Sequence, residues 1–70
     1  MEEFSTRLRR LRERRGLSRK IFGQLCGLSR NSIERYERGE REPTLTALLA
    51  LADFLDISLD ELSGRETVRR

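Results

Sequence analysis

The 70-residue chain is predicted to be all-α, a compact five-helix bundle around one core. Apolar residues recur at three- and four-residue spacings, and no segment alternates with period two. Capping residues and glycines punctuate the chain at short intervals, so every connection between helices is short.

The first helix is expected over Ser5 to Arg15. Phe4, Leu8 and Leu11 recur at i, i+4 and i+7, and Gly16 supplies the left-handed residue that commonly ends a helix. A basic helix with so thin an apolar stripe suits a core better than a membrane surface, which needs a wider apolar face. Ser18 is a natural N-cap for a second helix with Ile21, Phe22, Leu25 and Cys26 on its inner side, closed by Gly27. Ser29 caps a third helix, over about residues 29–37, whose inward residues are Ile33 and Tyr36. Gly39 and Pro43 bracket a charged loop. Pro43-Thr44 starts a fourth helix, with Leu45, Leu48, Leu49, Ala52 and Leu55 expected to face the core. Ser58-Leu59-Asp60-Glu61 fits a capping box and opens a short fifth helix containing Leu62, with Gly64 at its end. Residues 1–64 therefore read as one domain, and 65–70 as a tail or the start of a linker.

Composition excludes several classes of function. One cysteine and no histidine rule out an internal disulfide and a Cys/His zinc site, so no metal and no cofactor are expected. Cys26 reads as a small buried hydrophobe beside a turn. Lys20 is the one lysine, and no pair of carboxylates lies among apolar residues that would raise a pKa for catalysis, which argues against an enzyme. No apolar run approaches the roughly 20 residues of a membrane span. The amino terminus lacks a signal-peptide core, and a cytoplasmic location fits the lone thiol. Charge is unevenly spread: residues 7–41 hold 12 Arg or Lys against 4 Glu, whereas residues 42–64 hold 5 acids and no base. A basic first half suggests a face built for a polyanion.

The second and third helices, each about eight residues and joined around Gly27, have helix-turn-helix spacing. Two short helices crossing steeply need a small residue at the approach. Gly23, with Ile33 and Leu25 behind it, meets that need at a helix-propensity cost of roughly 1 kcal/mol relative to Ala. In that setting the ordered elements Gly16-Leu17-Ser18, Gly27-Leu28-Ser29, Ser32-Ile33, Tyr36-Glu37-x-Gly39, Pro43, Leu48, Ala52-x-x-Leu55 and Ser58-Leu59-x-x-Leu62 resemble the Cro/phage-repressor, or XRE-type, helix-turn-helix domain. The resemblance covers residues 5–64. Members usually carry Gln at the position of Arg19 and Ala at that of Gly23, so this chain departs from the pattern at both.

The resemblance implies a lambda-repressor-like DNA-binding domain in a transcriptional regulator, a bacterial or prophage repressor, with the third helix in the major groove of double-stranded DNA. Its outward residues are then base contacts: Arg30 and Arg35 can hold guanine O6 and N7, Asn31 can hold adenine N6 and N7, and Ser32 sits beside them. Glu34 has two readings, accepting from a cytosine amine or orienting Arg30 or Arg38 through a helical ion pair, the second being preferred. Phosphate contacts are expected from Ser18 and Arg19 at the start of the second helix, and from Arg38, the Gly39 amide and Arg41. Family pairing of an Arg late in the first helix with a Glu ending the third makes Arg12 and Glu37 a structural ion pair. Tyr36 faces the core with its hydroxyl at the rim. Relatives dimerise on roughly palindromic sites, and Phe54 and Leu59, with Ile57, are the candidate dimer surface. The competing reading is a protein-binding antitoxin or adaptor module on the same fold.

Overall fold

Four side-chain hydroxyls set where helices begin. Ser18, Ser29, Thr44 and Ser58 each accept, through Oγ or Oγ1, from the backbone N–H three residues on, at 3.0–3.1 Å. Each satisfies a donor that the first helical turn otherwise leaves unpaired. The computed structural model, which describes residues 3–63, has five helices, the last four opened by these caps: α1 Phe4–Arg14, α2 Arg19–Cys26, α3 Arg30–Glu37, α4 Leu45–Leu55 and α5 Leu59–Ser63. No strand occurs among the described residues. Gly64 and the expected tail at 65–70 lie outside them.

α1 starts and ends one residue earlier than its pattern suggested. Arg15 is its C-cap, with its backbone N–H donating to the Arg12 carbonyl at 3.1 Å. The Arg15 side chain instead reaches across the bundle. Its Nη2 donates to the Leu55 carbonyl at 3.0 Å, and its guanidinium lies 5.6 Å from the centroid of the Phe54 ring. It thereby satisfies a carbonyl that α4 leaves open at its C-terminus. α4 ends on Asp56 at φ 58°, a left-handed position that Asp tolerates better than most non-glycine residues.

Leu8, Phe22, Ile33, Tyr36, Ala47, Leu51, Ala52, Leu55 and Leu62 form the buried core. α2 packs on α3 and α4, α1 on α3, and α5 against α1 and α4. The aromatic rings of Phe22 and Phe54 approach to 5.9 Å between centroids, and those of Phe4 and Tyr36 meet edge to face at 6.2 Å. Gly23 sits at the α2–α3 approach. A Cβ built there would lie 2.6 Å from the Leu28 carbonyl oxygen, and that residue's N–H already donates to the Gly23 carbonyl at 2.7 Å. The turn folds back onto Gly23, so the helix accepts the propensity cost for close approach.

Two parts of the expected core are corrected. Leu45 and Leu49 are exposed, and the inner face of α4 is Ala47, Leu51 and Leu55, with Leu48 and Ala52 alongside. A segment reading LTALLALADFL is apolar on nearly every side, so its periodicity leaves the phase undetermined and packing against α2 and α5 sets it. Ile21 and Leu25 are also exposed. Closing α2 onto α3 at Gly23 turns Phe22, Gly23 and Cys26 inward and carries the Ile21–Leu25 edge out, so Ile33 joins the core as expected and Leu25 does not.

Candidate nucleic-acid interface

α3 is an eight-residue helix with two chemically opposite sides. Ile33 and Tyr36 are buried in the core, while Arg30, Asn31 and Arg35 are exposed. Ser32 is half-buried, and its hydroxyl oxygen accepts from the Ser29 hydroxyl at 3.0 Å beside the helix cap. Of the four residues expected to meet bases, three stand free on one side and the fourth is engaged at the cap.

Glu37 closes the inner side. Its carboxylate side chain is 1% exposed and receives three hydrogen bonds. Arg12 donates through Nε to Oε2 at 2.6 Å and through Nη2 to Oε1 at 3.0 Å, and its Nη1 donates to the Leu17 carbonyl at 2.7 Å. One guanidinium thus joins α1, the α1–α2 turn and α3. The Arg12 pKa is raised, first by its hydrogen bond to Glu37 and further by the charge of that carboxylate, against the opposing effect of burial. The third donor is Arg19 Nε, 3.1 Å from Oε1.

The expected phosphate contacts divide the same way. Ser18 Oγ is occupied as the α2 cap, and Arg19 is anchored to Glu37. Arg38 pairs with Glu34 at 2.8 Å and lies 3.9 Å from Glu40. The Gly39 N–H donates to the Tyr36 carbonyl at 3.2 Å, so that amide already serves the end of α3, with φ 73° allowing the turn. Arg41 is exposed. Two polar clefts flank α3. One is lined by Arg12, Ser18, Arg19, Lys20, Arg30 and Glu34, the other by Asn31, Glu34, Arg35, Arg38 and Glu40. Lys20 was not singled out from sequence. Its signal was a cation in the first turn of a capped helix, where free backbone N–H groups and positive charge point the same way.

On another side, Leu59 and Leu49 are exposed and line a cleft with half-buried Ile57 and the acids Asp53, Asp56 and Glu61. Phe54 is half-buried, with Phe22 and Arg15 against its ring, and is not among the residues lining this cleft. Cys26 is half-buried, and burial pushes its thiol pKa up. Among the described residues no helix is long and apolar enough to cross a membrane, and no His, Cys, Asp or Glu cluster is placed to hold a metal.

The model of a helix-turn-helix domain matches residues 3–63. The HTH-type transcriptional regulator AnsR of Bacillus subtilis is 42% identical over 60 residues, 86% of this chain and 52% of that protein. The cryptic phage CTXphi transcriptional repressor RstR of Vibrio cholerae is 51% identical over 39 residues, 56% of this chain and 35% of that one. The chain thus spans about half, or less, of the length of these relatives. Among solved structures, the P22 c2 repressor in complex with a synthetic operator superposes with a TM-score of 0.86 at 30% identity, covering 94% of this chain and all of that one. The restriction-modification controller protein C.AhdI of Aeromonas hydrophila gives 0.79 at 44% identity, covering 84% and 89%.

Proposed function

Because the chain belongs to the helix-turn-helix domain family, of the XRE type, we propose that it binds double-stranded DNA sequence-specifically as a transcriptional regulator, a bacterial or prophage repressor. The observation that carries this reading is the division of α3, with Ile33, Tyr36 and the Glu37 carboxylate buried and Arg30, Asn31 and Arg35 exposed together. A helix so anchored can enter the major groove as a rigid reader, its outer side chains meeting base edges while its inner ones stay in the core. Arg30 and Arg35 supply bidentate donors for guanine, and Asn31 a donor and acceptor for adenine. Lys20 and Arg41 flank the reader as phosphate partners, with Arg38 available if its pair with Glu34 opens.

One such domain makes few contacts, so the reading includes a homodimer on a roughly palindromic operator, with half-sites about one helical turn apart. Leu49 and Leu59 are exposed apolar residues on the α4–α5 side that a second copy would cover, with half-buried Ile57 in the same cleft. The acids around them keep that side off the DNA. A regulator of this kind works on the nucleoid in the cytoplasm and needs no cofactor for binding.

Selection of binding sites from a random duplex pool tests the proposal. An enriched palindrome is the expected outcome, and its half-site spacing reports the dimer. Absence of any enriched sequence sinks it and favours the adaptor or antitoxin reading.

A further inference from the structure

The first residue of α2 is Arg19, and Glu37 holds that arginine in addition to Arg12. The Arg19 side chain is 38% exposed, and its Nε donates to Glu37 Oε1 at 3.1 Å. A guanidinium is planar and rigid, so fixing its Nε edge fixes the whole group. The bond runs from the first residue of α2 to the last of α3, the two helices whose mutual angle decides how the reading side chains are presented. Gly23 places the Leu28–Ser29 backbone against α2 near the start of α3, and the Arg19–Glu37 bond ties the far end to α2 as Arg12 ties it to α1. An eight-residue helix held at both ends has little freedom to tilt. Bidentate contacts to base edges are lost with small tilts, because hydrogen bonds weaken steeply as their angles fall.

We propose that Arg19 is a positioning residue for base reading: through Glu37 it sets the placement of α3, so that the choice of bases depends on a side chain that touches none of them. This rests on the DNA-binding reading above. Its role differs from that of Arg12. Two guanidinium groups share one carboxylate, so losing the Arg19 bond leaves Glu37 with both Arg12 hydrogen bonds and no orphaned charge. The fold should therefore survive the loss while the angle of α3 relaxes. Lysine keeps the charge but lacks the planar fork that pins the group.

The deciding variant is Arg19→Lys in the full chain, compared with the unmutated protein on the selected operator and on a scrambled duplex across a range of salt. Scrambled-duplex affinity and its salt dependence should hardly change, because the charge is kept. The operator-to-scrambled ratio should fall about tenfold, a modest share of what bidentate base contacts discriminate. An unchanged ratio overturns the inference, and so does an equal loss on both duplexes, which would make Arg19 a phosphate cation. A second arm uses no DNA: the Arg19 Nε–H should give a resolved, slowly exchanging signal in the free protein. Exchange as fast as that of exposed Arg30 overturns the inference by itself. Unmutated protein that prefers no sequence would instead overturn the DNA-binding reading, which is measured before any variant is made.

Discussion

Glu34 and Glu37 stand three residues apart on α3, and each pairs with arginine. Glu37 is 1% exposed and holds Arg12 with two hydrogen bonds and Arg19 with a third. Glu34 is 27% exposed and meets Arg38, itself 60% exposed, at 2.8 Å. The chemistry is the same and the surroundings differ. In the first pair water is excluded, so removing the acid leaves a buried cation uncompensated. In the second, water and salt screen the attraction, and the pair contributes little to stability. What the outer pair changes is charge: Glu34 neutralises a cation that a phosphate could otherwise take.

Substitutions can break that comparison. The largest effect is expected from Glu37→Ala, which should lower stability by about 3–5 kcal/mol. Thermal melting should show the same loss at low and high salt, and a loss that vanishes in high salt would place Glu37 in the class of Glu34. Arg35→Ala, on the exposed side of α3, should leave melting unchanged and weaken operator binding by about 1–3 kcal/mol, relaxing preference at one base position. Equal weakening on every duplex would mark Arg35 as a phosphate contact. Arg41→Ala should weaken binding to all sequences and lower the slope of log affinity against log salt by about 0.9. An unaltered slope would remove Arg41 from the interface. Glu34→Ala should cost little stability, at most about 0.5 kcal/mol and nothing in high salt. That variant should nevertheless bind scrambled DNA more tightly and with a steeper salt slope, because Arg38 is freed; unchanged non-specific binding would show that Arg38 stays away from phosphate.

Much of this arrangement is readable from local residues. Ser18, Ser29 and Ser58 cap the N–H groups three residues on, and the glycines after α1 and α2 take left-handed backbone, since both effects act within a single turn. The sorting of α3 into Ile33 and Tyr36 inside and Arg30, Asn31 and Arg35 outside follows from helical period alone, because its polar and apolar residues alternate cleanly enough to define a face. The expected free phosphate donors were less secure. Gly39 uses its amide to end α3, and Arg38 has an acid one turn back on the same helix.

The sequence by itself determined the helices, their caps, the turn at Gly27 and the outward character of Arg30, Asn31 and Arg35. Each depends on neighbours no more than about four residues away. Only the tertiary structure decided that α4 turns Ala47 and Leu51 inward and leaves Leu45 and Leu49 exposed, since an all-round apolar helix takes its phase from what it packs against. It also decided that Arg19 anchors to Glu37, 18 residues further along the chain. No periodicity records that contact, because it exists only once α2 has closed onto α3 at Gly23.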